Sequence, residues 1–450
     1  MTNLGSGNDV AKIQFGHALK KDFLFDEKYI NLNHGSFGTH PHPVPTALRS
    51  FQEAAEARPD SFIRYDATRL VDESRSALAP LLNAPADTLV FVPNSTTGVN
   101  TVLRNLVYDE GDVIIYFATI YGSCEKTVQY VWDTTLAESR KIDYVYPVED
   151  EWLVEEFERT VESVKAEGKT PKLCIFDTVV SLPGVRMPFE LLAAKCRKLG
   201  VLSCIDGAHG VGHIELDMTA LDPDFFVSNC HKWLYTPRGC AVFYVPMRNQ
   251  HLIRSTLPTS HGYIPKPKAG ASPISNPLPT STNTPFVNAF NFVGTIDTSP
   301  YLCVPAALTY RRSLGGESAI RNYCQTLALE GGRHVAHVLG THILDNSTHS
   351  LSRCCMVNIL LPLSPQHIFC AAREKGNVQS EGDIMAMTRN WIEKVMMADY
   401  GTFMPVMLYG NKLWCRLSAQ VYLEMKDFEF AAEVLRSICD RTANGESLQE

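Results

Sequence analysis

An α/β fold, with a largely parallel sheet and a smaller α+β unit after it, is what this 450-residue sequence predicts. Three observations predict it. Between residues 86 and 245, short runs rich in Val, Ile and Phe alternate with segments whose apolar residues recur every three or four positions. The stretch 264–285, "IPKPKAGASPISNPLPTSTNTP", then breaks that rhythm, and the strand and helix signals beyond it no longer alternate. The composition, 45% hydrophobic and 20% charged, supplies the core of one large unit with a smaller companion.

The predicted strands of the large unit are "TLVFV", "DVIIYFAT", "KLCIFDTVV", "VLSCIDG", "DFFVSN" and "GCAVFYV". They are short and β-branched, as strands covered on both faces are. The predicted helices between them are "TTGVNTVLRNLV", "LVEEFERTVESVKAEG" and "FELLAAKCRKLG", the last two closing on a glycine. Helical crossovers impose parallel pairing on the strands they join. The segment 264–285 has too few apolar residues to pack a core and reads as a long surface loop, a lid or a subunit contact. After it the pattern predicts helices around 303–340, a strand in "CCMVNILL", a helix near 383–399, strands near 402–418 and a final helix after Lys426.

The totals exclude several function classes. A net charge of -8 and a pI near 6.0, with no basic run interleaved with aromatics, argue against nucleic acid. No segment reaches 18 uninterrupted apolar residues and "MTNLGSGNDVAKIQFG" lacks the pattern of a secretory signal, so no membrane association and a cytoplasmic location are expected. The 13 cysteines form no CxxC pair and sit in apolar segments such as "KLCIFD" and "RCCMVN", which fits reduced core thiols. His209 and His213 are four apart in "HGVGH", but a third ligand is lacking and no metal is expected.

In an α/β sheet ligands bind beyond the carboxyl ends of the strands, and four predicted strands end in polar groups there. After "LVFV" come Asn94, Ser95, Thr96, Thr97 and Gly98 at a helix start, where free backbone N–H groups attract an anion such as phosphate. Taken alone this segment is also an ordinary helix N-cap. Asp177 follows "KLCIF" and Asp206 follows "VLSCI". Lys232 follows "DFFV" within "SNCHKWLYTPRGCAVFYV", hemmed in by Cys, His, Trp and Leu. An acid at Asp206 can hold a protonated pyridine nitrogen, and a desolvated Lys232 can form a Schiff base with an aldehyde.

That ordered set resembles the pyridoxal-phosphate enzymes of the aspartate-aminotransferase fold (fold type I). Within them it is similar to the class V aminotransferase family, whose members include isopenicillin-N-epimerase-like and cysteine-desulfurase-like enzymes. The resemblance runs from "NLNHGSFGTHP" through "RLSAQVYLE", and its most specific pieces are "DGAHG", "SNCHKWLYTPRGCA" and "FVGTID". It implies pyridoxal 5'-phosphate as cofactor, Lys232 as the Schiff-base lysine and Asp206 as the partner of the pyridine nitrogen. It places His209 near the phenolic oxygen, with Ser95, Thr96, Thr97 and His231 near the phosphate. Gly294 and Thr295 would reach the phosphate of a neighbouring subunit, which implies a homodimer with shared active sites. Arg416 would clamp the α-carboxylate of an amino-acid substrate, Asn33, His34 and Ser36 would edge its pocket, and Tyr121 would lie against the cofactor ring as a stacking group or acid. Residues 1–45 would form an N-terminal arm and substrate-edge loop, 46–300 the large cofactor-binding domain and 301–450 the small domain.

The reaction is less determined, because the core motifs serve elimination, transamination and racemisation alike. "EARPDSFIRY", "TGVNTVLRN" and "QHLIRSTLPTSHG" are similar to fungal hercynylcysteine sulfoxide lyases of ergothioneine synthesis, which implies β-elimination across a carbon-sulfur bond. Two positions depart from that pattern: "AESRKIDYVYP" carries Lys141 near the place where a cysteine is expected, and Val180 stands where a hydroxyl residue is common. A bond-forming enzyme similar to those of fungal loline-alkaloid pathways is the alternative, with aminotransferase, epimerase or cysteine desulfurase activity behind it.

Overall fold

The computed structural model describes residues 14–266, 270, 272, 274–279 and 281–449. Seven strands form the large sheet: β1 (Leu89–Val92), β2 (Asp112–Phe117), β3 (Glu138–Ile142), β4 (Thr170–Asp177), β5 (Leu202–Asp206), β6 (Phe225–Asn229) and β7 (Ala241–Tyr244). Their order is β1-β7-β6-β5-β4-β2-β3, and only β7 is antiparallel to its neighbours. Six strands therefore end on the same edge, and their terminal residues form one rim.

Alternation along each strand feeds two cores, one on either face. Leu89 and Phe91 of β1, with Cys174 and Phe176 of β4, face one side, whereas Val90, Val92, Leu173 and Ile175 face the other. In β4 and β5 the apolar runs stop at Asp177 and Asp206, the last residue of each strand. The predicted crossover helices lie at Ser95–Asn105, Asp150–Ala166 and Phe189–Leu199, the last stopped by Gly200 at φ 72°.

A second, antiparallel sheet, β8 (Met356–Leu360), β9 (Val406–Tyr409) and β10 (Lys412–Ser418), has the order β8-β10-β9. Helices Val304–Ser313, Gly316–Val338, Glu381–Tyr400 and Met425–Ala443 accompany it. Val357, Ile359, Leu413 and Leu417 belong to the same continuous core as Phe91 and Phe176, so the small sheet is packed onto the large unit. Arg416 lies on β10, opposite Asn358 of β8.

Several elements lie outside the sequence expectation, the helices Pro43–Ala57 and Ala67–Leu78 among them. β3, "ESRKI", has only Ile142 buried because it is an edge strand, and an edge strand carries no apolar run to read. The helices Gly122–Thr134 and Pro365–Glu374 are also unforeseen. Among the described residues of 264–284 there is no helix or strand, as the composition predicts, and a helix begins at Pro285. No helix among the described residues is long and apolar enough to cross a membrane.

Candidate active site

The rim formed by β1, β4, β5 and β6 gathers most of the candidate residues. Lys232 is the third residue of a one-turn helix, Cys230–Trp233, that follows β6 directly. Its Nζ lies 3.0 Å from His209 Nε2. Trp233 Nε1, which can only donate, gives its proton to His209 Nδ1 at 3.1 Å. Burial holds the His209 ring well below the ordinary imidazole range, so it is neutral, and its single proton must sit on Nε2, facing the lysine. An N–H pointed at Nζ is a hydrogen bond only when the amine is uncharged. Burial pulls the Lys232 ammonium from 10.5 to about 8, Asp206 opposes it and Arg416 reinforces it.

Asp206 ends β5 and is buried. Its Oδ1 accepts the Ala208 N–H at 3.0 Å and its Oδ2 accepts the Cys124 thiol at 3.4 Å. Asp177 ends β4 in register with Asp206, is equally buried, and its Oδ2 has no partner. Desolvation first, then the charge of Asp206, keeps its carboxyl well above the ordinary carboxylate range.

At the end of β1, Asn94 caps the helix Ser95–Asn105 by accepting the Thr97 N–H at 2.8 Å. Asn229, at the end of β6, accepts the Ser95 N–H at 2.9 Å, so the helix start is tied to the strand that carries Lys232. Val227 Cγ2 would lie 2.5 Å from a Cβ on Gly98, so this close approach of helix to strand requires glycine. Ser95 Oγ is buried and without a partner. His231 holds the Cys240 carbonyl oxygen at 3.0 Å through Nδ1, leaving Nε2 free.

Arg416 is 1% exposed and forms no ion pair with a carboxylate among the described residues. Its NH1 donates to the Ser181 carbonyl at 2.6 Å, and its NH2 donates to Asn33 Oδ1 at 2.7 Å and Ser36 Oγ at 2.8 Å; Nε is buried and unpartnered. A buried cation without an acid is costly, and burial lowers its pKa to about 10. Gly184 makes room for its stem: a Cβ there would lie 2.7 Å from Arg416 Cδ.

The remaining candidates separate. Asn33 and Ser36 join Arg416, whereas His34, between them, is fully buried, 3.0 Å from the Tyr422 hydroxyl and stacked obliquely near Trp233 at 5.1 Å. His34 thus packs behind Lys232. Tyr121 precedes the helix that carries Cys124 and is 48% exposed. Gly294 and Thr295 are exposed and line, with Thr97 and Thr101, a largely apolar cavity of about 470 Å³ on the flank of the helix Ser95–Asn105, so in a single chain they are not part of the Lys232 cluster. Lys141 lies on the edge strand β3 paired with Glu125 at 3.0 Å, and Val180 is buried. His213 uses both nitrogens, donating to the His209 carbonyl and accepting the Cys355 N–H, and has no lone pair for a metal. Sequence reasoning missed Cys124, whose only signal is its place one turn into the helix after β2, and the hydrogen bond of Trp233.

Known proteins match this arrangement over nearly its whole length. The family model "Aminotransferase class-V" matches residues 38–295. The L-cysteine desulfhydrase-like protein lolT1 of Epichloe uncinata is 37% identical over 97% of this chain and 98% of its own. The chain belongs to the class-V aminotransferase family. This class-V protein is also 30% identical to hercynylcysteine sulfoxide lyase of Schizosaccharomyces pombe, over 94% of this chain and 98% of the relative. Its fold is that of a cysteine desulfurase from Thermococcus onnurineus NA1, with a TM-score of 0.69 at 17% identity, covering 95% of this chain and 98% of the other. The class-V chain is a pyridoxal-phosphate-dependent enzyme of fold type I. The site fits that cofactor: an anion-ready helix start with an orphaned buried hydroxyl at Ser95, a buried acid at Asp206, and a desolvated amine at Lys232.

Proposed function

We propose that this enzyme cleaves the carbon-sulfur bond of a cysteine-type amino acid by β-elimination, releasing a sulfur product, pyruvate and ammonia. The observation that carries an amino-acid substrate is Arg416, a buried guanidinium without an acidic partner and within electrostatic range of Lys232. A substrate α-carboxylate supplies the missing charge with a two-pronged hydrogen bond, and Cα is then held toward the lysine. The printed names of the two relatives support sulfur chemistry on such a substrate.

Pyridoxal phosphate bound here supplies an electron sink that weakens the bonds at the substrate Cα. Ser95, Thr96, Thr97 and His231 would hold its phosphate, Asp206 its pyridine nitrogen, His209 its phenolic oxygen and Lys232 its aldehyde carbon. Asn33 and Ser36 fix the Arg416 fork. Lys232, whose neutral form burial and the His209 N–H favour, removes the α-proton. Tyr121, exposed to solvent, gives its phenolic proton to the departing sulfur and recovers one from water. Trp233 and Leu234, both buried, keep water from the amine. A homodimer in which Gly294 and Thr295 complete the neighbouring phosphate site belongs to this reading, as does the division at about residues 45 and 300.

Within the reading, a hercynylcysteine sulfoxide is the first substrate to offer. Bond formation at the amino-acid carbon is the second reading, favoured by the absence of a cysteine near Lys141. Pyruvate assayed after incubation with cysteine, cystine and cysteine-conjugate sulfoxides decides between them. Pyruvate from at least one is expected, and none from any, with the yellow absorption still responding to added amino acids, selects bond formation.

A further inference from the structure

We propose that Cys124 is a positioning residue that fixes the negative charge of a buried acid pair on Asp206 and leaves the proton on Asp177. The inference rests on the reading of Asp206 as the partner of the pyridine nitrogen. Asp177 and Asp206 end adjacent parallel strands in exact register, and both are almost without solvent exposure. Two carboxyls so close in a dry site do not both ionise, and one retains a proton. Which one is charged depends on the donors each receives.

The donors are unevenly divided. Asp206 accepts two, the Ala208 N–H on Oδ1 and the Cys124 S–H on Oδ2. Asp177 accepts none, and its Oδ2 is buried without a partner. The backbone N–H would be present whatever residues stood nearby, so the side chain that biases the pair is Cys124. Its sulfur is fully buried, and burial with the neighbouring charge of Asp206 holds the thiol protonated, which keeps it a donor. The helix Gly122–Thr134 carries it: Cys124 lies in the first turn after β2, where the Tyr121 carbonyl accepts its backbone N–H at 2.7 Å. A charged Asp206 holds a pyridine nitrogen in its protonated form, and a protonated Asp206 could not.

The test loads cofactor-free protein with pyridoxal phosphate labelled with ¹⁵N at the ring nitrogen, and reads the ¹⁵N chemical shift and the dissociation constant. Wild type, Cys124→Ser, Cys124→Ala, Asp177→Asn and Asp206→Asn are compared, with thermal melting of each cofactor-free variant to confirm folding. Cys124→Ala is expected to move the shift toward the unprotonated nitrogen and to weaken binding roughly three- to tenfold, the scale of one ordinary hydrogen bond, the thiol being a weak donor. Cys124→Ser, which keeps a donor, restores both, and Asp177→Asn, which mimics the protonated acid, leaves both near wild type. A folded Cys124→Ala protein with the wild-type shift and affinity overturns the inference, as does an Asp177→Asn protein with an unprotonated nitrogen. If Asp206→Asn also binds with the wild-type shift, the reading of Asp206 itself is overturned.

Discussion

Lys232 Nζ and His209 Nε2 are 3.0 Å apart, and the indole of Trp233 fixes the meaning of that contact by occupying His209 Nδ1. The imidazole proton is thereby aimed at the lysine. A charged ammonium meets an N–H dipole of the wrong sign, so the pair favours the amine in addition to the effect of burial.

Replacing Trp233 by Phe removes the donor while keeping a ring of similar packing. His209 is then free to move its proton to Nδ1 and present a lone pair to the ammonium. The expected outcome is a higher Lys232 pKa. The rate at which cofactor-free protein forms a Schiff base with pyridoxal, followed against pH, should shift its midpoint upward by about one pH unit, equivalent to about 1.4 kcal/mol. An unchanged midpoint would show that burial alone sets the lysine.

The same lysine has a cost for the cofactor-free fold. Its folded pKa of about 8 lies below its ordinary value of 10.5, so between those values the unfolded chain binds a proton that the folded chain does not. The penalty is complete below pH 8 and is relieved as pH rises toward 10.5. The gap corresponds to about 3 kcal/mol. Lys232→Met should therefore stabilise the cofactor-free protein by up to about 3 kcal/mol at pH 7, and by much less at pH 10, in urea unfolding. A gain independent of pH would indicate a packing effect.

Arg416 and Gly184 test the substrate side. Arg416→Ala should weaken amino-acid binding about 100-fold, the scale of two hydrogen bonds between charged groups, with cofactor affinity unchanged; spectral titration with an unreactive amino acid measures both. Gly184→Ala should act in the same direction more weakly, because its Cβ would press on Arg416 Cδ at 2.7 Å. The backbone at Gly184 cannot easily retreat, since Asn358 donates to its carbonyl at 3.0 Å and accepts its N–H at 2.8 Å. Cofactor loss in the Arg416 variant would mean that this arginine serves another part of the site.

The large sheet was legible in the sequence because strands covered on both faces must be continuously apolar and because Asp177, Asp206 and Lys232 sit where such runs stop. β3 was not, since an edge strand needs no such run and "ESRKI" reads as a polar turn. Arg416 was legible only through family resemblance: nothing local in "WCRLS" says that the guanidinium lies against Asn33 and Ser36, 383 and 380 positions away. The Cys124 contact was equally hidden, because 82 residues separate it from Asp206 and a buried thiol is an ordinary core residue. Long-range polar contacts depend on how strands are ordered, and sequence periodicity does not specify the order.

His231 carries the last prediction. A carbonyl can only accept, so the Cys240 oxygen fixes the proton of His231 on Nδ1 and leaves Nε2 bare. Burial, with the charges of Lys232 and Arg238, holds its pKa at about 4, so the ring is neutral at pH 7. A phosphate oxygen at Nε2 has no donor to meet unless the ring takes up a proton, and the dianion supplies the field that draws one in. Binding of a phosphate monoester to the cofactor-free enzyme should then consume up to one proton beyond that taken by the His231→Gln variant, whose amide donates without titrating. Calorimetry in buffers of different ionisation enthalpy counts that proton directly. Equal proton uptake in the two proteins would place His231 away from the phosphate.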